Sequence, residues 1–528
     1  MSRVTGEGLG SNLKTVVVSG NVHVLYAMIT DLGGAGPLKV AIRSLPDEVL
    51  LEIFTFYVKG AGFEEWIRLV HVCRRWRRIV FASPLRLGLQ LWVRGKGHVR
   101  EMLDSWPALP IVIIPFNDRW ISEVTENVIA ALEHRDRVCK IMVYDFPVLG
   151  WKLERFLETM QYPFPALTHL ELYKWFNEDE GAAVIPDSFL GGSAPLLQSL
   201  RLTYAAFPAL PKLLLSANHL VDLNLHCIAH AGYISPEVMV ASLSSMTKLR
   251  SLGLEFDSPR SRPSRASRRP PPRIRTPLPT LTHFSFRGVS EYVEDLVARI
   301  DAPLLHDIHI SFFNQLIFDI PQLSHIINRV ERFKRLNAKI SFSEYNASVE
   351  LSSGTDGRLL LEISCRQADW QLSSVAQLCG MSLHPISTLE NLTVTIDSRN
   401  PRQFGQFDIE HSQWEDLLYP FTNIKNLYLE EEVGLHTVTA LQGLVGESVT
   451  QVLPALQSLW IKGFYQSGRT REAAESFVAA RQRFGCPITI RWEDEGETEY
   501  SLSEPEQEEL DSVWESDSEW ESDSEVDD

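Results

Sequence analysis

An apolar residue followed by others three and five places on recurs ten times between Val138 and Ile461, and no other feature of the chain constrains its fold as tightly. The units read Val138, Ile141, Val143; Leu167, Leu170, Leu172; Leu197, Leu200, Leu202; Leu220, Leu223, Leu225; and Leu249, Leu252, Leu254. They continue at Leu281, Phe284, Phe286; Leu305, Ile308, Ile310; Leu389, Leu392, Val394; Ile424, Leu427, Leu429; and Leu456, Leu459, Ile461. Successive first positions lie 23 to 35 residues apart, save for one 84-residue gap. A motif at that spacing predicts a solenoid, in which each unit buries its apolar side only against its neighbours. The last two apolar positions of a unit are two apart, so they share one side of a short strand and the residues between them take the other. Pro165, Pro195, Pro279, Pro303 and Pro454 each stand two residues before a first apolar position, where proline stops a preceding helix from running on. Helices are expected between strands, for example Glu237 to Met246 opened by Ser235-Pro236, and Glu291 to Ile300 capped by Ser290.

Strand, loop, helix and strand stacked in parallel resembles a leucine-rich-repeat horseshoe. The resemblance implies an α/β fold class, with a curved parallel sheet lining a concave face. The residue three places after the last apolar strand position, usually Asn or Cys in such repeats, is Trp175, Ala205, Ile228 or Asp257 here, so irregular units are expected. Side chains two and four places after each first apolar residue should stand on the concave face free of the core. Glu171, Arg201, Asn224, His309, Tyr428 and Trp460 are the target-contact candidates among them, with Tyr428 and Trp460 as anchors because buried aromatics dominate protein interfaces. The row is mixed in charge, which suits a protein surface better than a nucleic-acid polymer.

The second informative stretch is Ser44 to Pro84. Pro46 suits a first helical turn, and Asp47 and Glu48 complement the positive end of the helix dipole. Val49, Leu50, Ile53, Phe54 and Tyr57 form an apolar stripe that Gly60-Ala61-Gly62 should end. A second helix is expected from Phe63 to Phe81, with Trp66, Leu69, Cys73, Trp76 and Val80 on one face and Arg74, Arg75, Arg77 and Arg78 on a basic flank. Two such helices bury too little apolar surface to stand alone and need a partner surface. Leu45-Pro46, Glu48-Val49-Leu50, Ile53-Phe54, Val72-Cys73 and Trp76 are similar to the motif of F-box proteins. That resemblance implies docking on a Skp adaptor of a cullin-based SCF ubiquitin ligase through Leu45, Pro46, Val49, Leu50, Ile53, Phe54, Val72, Cys73 and Trp76. An N-terminal F-box followed by a degenerate leucine-rich body resembles the F-box domain-containing proteins of mushroom-forming fungi.

The remaining segments bound the reading. Residues 1–43 are expected as a poorly ordered leader, with one short strand at Lys14 to Val18. Ser258 to Pro277 holds seven arginines, four serines, six prolines and no acid, the composition of a disordered insertion. Residues 311–388 hold the alternating run Leu359, Leu361, Ile363 and the amphipathic Trp370 to Cys379, without an assignable register. The net charge of −18 comes from the 18 acids between Glu493 and Asp528; the rest balances at 50 basic against 50 acidic residues and makes no case for nucleic acid. That tail, from residue 493 on, is expected to be disordered, and Ser516, Ser518, Ser522 and Ser524 each precede an acid by three places, as acidophilic kinases prefer.

Six cysteines without a Cys-x-x-Cys pair fit neither a disulfide framework nor zinc, and a reducing cytoplasm or nucleus is expected. No apolar run reaches membrane-spanning length. No phosphate-binding loop, nucleophile elbow or metal helix is found, so no cofactor and no catalysis are expected. The chain reads as a non-enzymatic substrate receptor that holds an unknown protein for partner subunits to ubiquitinate. The alternative is a repeat scaffold without ligase association.

Overall fold

The computed structural model describes residues 42–493 except 43, 62–64, 95–98, 115–120, 146–152, 175–180, 264–273, 316–317, 331–332, 334–336, 353–356, 381–382, 397–410, 431–432 and 463–467. The leader with its expected strand, and Ser516, Ser518, Ser522 and Ser524 of the tail, lie outside the described residues.

Three helices open the fold: α1 (Asp47–Ala61), α2 (Glu65–Val72) and α3 (Arg74–Ala82). The expected single helix from Phe63 to Phe81 is two helices, because Cys73 is extended (φ −161°, ψ 168°) and turns the chain. The first helix likewise runs through Gly60 rather than stopping there. The break lets α3 double back along α1. Arg75 Nε donates to Asp47 Oδ1 at 2.8 Å, and a second nitrogen of the same guanidinium donates to the Leu45 carbonyl. Arg78 lies 3.2 Å from the other Asp47 oxygen. The hydrogen bond from Arg75 and the fields of both arginines hold the Asp47 carboxyl below the usual carboxylate range, against the opposing effect of desolvation. Arg77 Nε also donates to the Val70 carbonyl of α2 at 3.0 Å, so three of the four residues read as a basic flank are ties across the helix bundle.

One sheet of sixteen strands follows: β1 (Leu91–Val93), β2 (Ile111–Ile113), β3 (Val138–Asp145), β4 (His169–Lys174), β5 (Ser199–Thr203), β6 (Asp222–Ile228), β7 (Ser251–Phe256), β8 (His283–Gly288), β9 (Asp307–Phe313), β10 (Asn337–Phe342), β11 (Asn346–Ser352), β12 (Arg358–Ser364), β13 (Asn391–Ile396), β14 (Asn426–Glu430), β15 (Ser458–Lys462) and β16 (Thr489–Glu493). Every apolar position of the ten repeat units is buried, which is the side of the sheet that the inter-strand helices cover. Leu89, Leu91 and Val93 with β1, and Leu109, Ile111 and Ile113 with β2, extend the buried stripe ahead of the first unit read from sequence.

Strands β1 to β9 are neighbours in chain order, but the next in space are β12, β11 and β10, and only then β13 to β16. Neighbours are parallel except β12 with β11 and β11 with β10. The 84-residue gap therefore holds no ordinary parallel units. It holds an antiparallel excursion in which Ser343 and Asn346 close a tight hairpin through the bond from Ser343 N to the Asn346 carbonyl, 2.8 Å. The run Leu359, Leu361, Ile363 lands beside β9, with Leu359 opposite Ile308. Trp370 to Cys379 lies in the helix Ala368–Gly380, as its pattern predicts.

Without the usual asparagine, the turns are satisfied by the backbone itself. Tyr204 N bonds to the His226 carbonyl and Asp257 N to the Ile228 carbonyl. Tyr204 (φ 53°) and Cys227 (φ 49°) take left-handed conformations to aim these groups, a cost that only a close-packed neighbour sustains. A second ladder runs along the strands' amino ends: Gln198 N to Thr168 O, Val221 N to Gln198 O, Arg250 N to Val221 O and Thr282 N to Arg250 O. Helix termini are capped across units as well. Ser235 accepts from Val238 N as expected, but Ser290 lies inside its helix, Ser290–Val297, and Ile300 belongs to a short strand. Glu294 of that helix, almost fully buried, accepts from Gln322 N and Leu323 N and so caps the helix Pro321–Arg329.

The disorder expected over 258–277 does not extend to the margins of that insertion. Ser261 is buried and within 3.3 Å of His230 Nδ1, Arg275 donates to Gln322, and Thr276–Pro277 pairs in parallel with Ile300–Asp301. We therefore expect deletion of residues 264–273 to leave the melting temperature within about a degree of the parent. Deletion of 258–277 should lower it by several degrees, since about 1 kcal/mol shifts a large domain by about 2–4 °C. Equal effects of the two deletions in differential scanning calorimetry would contradict this.

Candidate functional site

Two surfaces carry the residues that the sequence singles out, and each has one face already used by the fold. In the helical domain Leu50 and Phe54 are buried, and Trp76 packs on Phe54 with ring centroids 4.7 Å apart. These three form the core of the bundle. Leu45 and Ile53 are half-buried; Pro46 and Cys73 are exposed, and Val49 and Val72 are 41% and 39% exposed. Phe56, which the sequence reading passed over, is 69% exposed on α1. Its position outside the apolar stripe gave no periodic signal. The opposite side of the bundle is covered: Trp66 is buried edge-on against Trp106 at 5.3 Å, and Phe81 meets the same ring at 5.9 Å. The aromatic contact joins the bundle to the first repeat strands in one continuous apolar core.

On the solenoid the register places the expected polar positions in rows on the face turned away from the helices. Glu171, Arg201, Asn224, Gly253, Ser285 and His309 stand opposite one another on successive strands. Arg201 Nη1 is 3.4 Å from Glu171, and His309 Nε2 is 2.9 Å from Glu362 on β12. Burial pushes the hydroxyl of the neighbouring Tyr144 up to about 12, and Glu171 adds to the shift, so Tyr144 stays a neutral donor. Asn224 lies directly over Gly253, where a Cβ would sit 2.4 Å from its Oδ1; the glycine makes room for the amide.

Farther along, Thr393, Tyr428, Trp460 and Arg491 form one row. Tyr428 and Trp460 stack at 5.6 Å and 24°, and the Arg491 guanidinium covers the far face of the row at 4.6 Å from the Trp460 ring. The candidates thus fall into two groups. Glu171, Arg201, Asn224 and His309 share a polar row, and Tyr428 and Trp460 share an aromatic one beyond the antiparallel excursion. The six cysteines are free thiols. Among the described residues no group of His, Cys, Asp and Glu could hold a metal ion, and no helix is long and apolar enough to cross a membrane.

The chain is thus a small helical domain fixed to one end of a leucine-rich-repeat-like solenoid whose sheet carries polar and aromatic rows on the face away from the helices. The F-box-like family model matches residues 42–85, the helical domain and little else, so this segment is an F-box-like domain on a leucine-rich-repeat-like body. No curated protein matches the chain. Among solved structures, the leucine-rich repeat-containing protein LegL7 from Legionella pneumophila aligns over 74% of this chain and 97% of its own, at 10% identity and a TM-score of 0.23.

Proposed function

We propose that the chain is the substrate-recognition subunit of an SCF-type ubiquitin ligase, docking on a Skp adaptor through its F-box-like domain and on a target protein through the open face of its sheet. The observation that carries this reading is the division of the helical domain. Its inner side is consumed by the Trp66, Phe81 and Trp106 contact, while Pro46, Val49, Val72 and Cys73 stay exposed, with Leu45 and Ile53 half-buried among them, as an apolar surface for a partner. An apolar edge held rigidly by a core is suited to a permanent protein partner. Leu50, Phe54 and Trp76 then support that edge from within. Ubiquitin transfer belongs to the cullin-bound partners, and this chain contributes binding and no catalysis, in the cytoplasm or nucleus. The serines Ser516, Ser518, Ser522 and Ser524 are proposed as kinase sites in the same complex.

The test is co-purification followed by mass spectrometry under proteasome and cullin-activation inhibitors. Val49→Asp combined with Val72→Asp should abolish adaptor capture while lowering the melting temperature by only a few degrees, because both side chains are partly in water and outside the buried core of the bundle. Tyr428→Ala with Trp460→Ala should keep the adaptor and lose the target, as truncating central aromatics at an interface costs ~2 kcal/mol or more. Adaptor capture by the Val49 and Val72 variant at the parental level would sink the ligase reading.

A further inference from the structure

Where the sheet changes direction, its open face holds a polar pocket of about 530 Å³. It lies at the carboxyl ends of β7, β8, β9 and β12, and the hairpin turn at Tyr345 forms one wall. A parallel solenoid has no such wall; the antiparallel β11 creates it by lifting the turn beside β12. The volume falls in the range of small-ligand or side-chain-cluster sites, about 300–1,000 Å³.

The charges in this pocket are unevenly matched. Glu255 is 3.1 Å from His226, and Glu362 is 2.9 Å from His309, so each carboxylate already has a partner. Burial alone would push the Glu255 carboxyl up, yet the His226 hydrogen bond and the fields of Arg287 and His309 bring it below its ordinary value. Arg287 and Arg366 differ. Among the described residues neither guanidinium has a hydrogen bond or an ion pair. Each instead lies over an aromatic ring, Arg287 at 5.7 Å from Phe313 and Arg366 at 5.2 Å from Tyr345. A guanidinium resting on a ring is held in place by it and keeps N–H groups for a further partner, which suits bidentate capture of an oxyanion. Ser311, Ser364 and Asn314 add neutral donors to the same lining.

We propose that this pocket binds an oxyanion carried on a segment of the target protein, a phosphorylated or carboxylate side chain gripped by Arg287 and Arg366. The proposal rests on the substrate-receptor reading for its peptide ligand, and it adds a defined point of selection that the mixed rows of the sheet face lack.

The test uses the full chain immobilised against three degenerate peptide libraries that share one fixed central residue, phosphoserine, glutamate or serine. The retained pools should be enriched for the phosphoserine or the glutamate library over the serine library, and which of the two wins identifies the oxyanion. Arg287→Ala and Arg366→Ala should each cut retention by about tenfold or more, the usual loss for a charge-assisted hydrogen-bond pair. Arg287→Lys should recover only part of it, because an ammonium lacks the planar fork. Equal retention of the three libraries, or arginine variants that retain the enriched pool unchanged, would overturn the proposal. Because the selection involves no adaptor, its failure leaves the adaptor-capture result standing, and the two readings fall separately.

Discussion

Trp66→Ala should destabilise the protein by about 3–5 kcal/mol and abolish adaptor capture, although Trp66 is not on the accessible edge of the F-box-like domain. The side chain is 1% exposed and stands edge-on to Trp106 at 5.3 Å and to Phe81 at 6.3 Å. It is therefore the wedge between the helical bundle and the first units of the solenoid. A bundle of three short helices buries too little apolar surface to hold its own shape. Removing the wedge opens a cavity where the bundle borrows stability from the body. Trp66→Phe is the informative control. The indole Nε1 is buried without a partner, so losing it leaves no acceptor stranded, and the smaller ring should cost well under half as much. Urea unfolding monitored by circular dichroism, with adaptor capture in parallel, checks both variants. An alanine variant of parental stability would mean that the bundle is independent of the body.

Arg481→Met should cost about 3 kcal/mol or more, although the two side chains are similar in length. Arg481 is fully buried on the inner side of the helix Gly468–Arg483. Its Nη1 donates to the carbonyls of Val449 at 2.9 Å and Val452 at 3.2 Å, and Nη2 donates to Pro454 at 3.4 Å. Desolvation pulls its guanidinium below the usual arginine range, with the Cys486 thiol opposing. One guanidinium thus satisfies three carbonyls of the segment that leads into β15. A thioether leaves the buried Val449 and Val452 carbonyls without a donor, at about 1–3 kcal/mol for each unsatisfied group, and loses the part-buried bond to Pro454 as well. Arg481→Lys should recover part of the loss, since a single ammonium cannot span three acceptors. Thermal unfolding of the full chain measures both, and a methionine variant as stable as the parent would refute the bridging role.

The two residues also mark what could and could not be read in advance. Trp66 sits on a helical stripe, so its burial follows from spacing, whereas its partner Trp106 lies 40 residues on and only the folded chain brings the rings together. Arg481 carries no periodic signal. It reads as one more cation on a basic helix, and its burial depends on carbonyls contributed by a neighbouring unit. Likewise, the motif resemblance grouped Leu50, Phe54 and Trp76 with Val49 and Val72. The two sets separate into a core and an accessible edge only once α3 folds back along α1.

By itself the sequence determined the repeat, the side of each strand that is buried and the rows of polar side chains opposite, because strand alternation and leucine spacing are local properties of the chain. It also determined that α1 begins beside Pro46 and that Ser44 to Pro84 resembles an F-box, a stretch the family model matches over 42–85, because a compact motif stands in contiguous positions. Only the tertiary structure decided how the 84-residue gap is filled. Strand direction in β11 is set by a hairpin and by which neighbours accept its backbone bonds, and alternation looks the same in parallel and antiparallel strands. The pocket of Arg287 and Arg366 is a consequence of that choice. Its residues lie 79 positions apart, and they meet because an antiparallel strand placed β12, rather than the next strand in the chain, against β9.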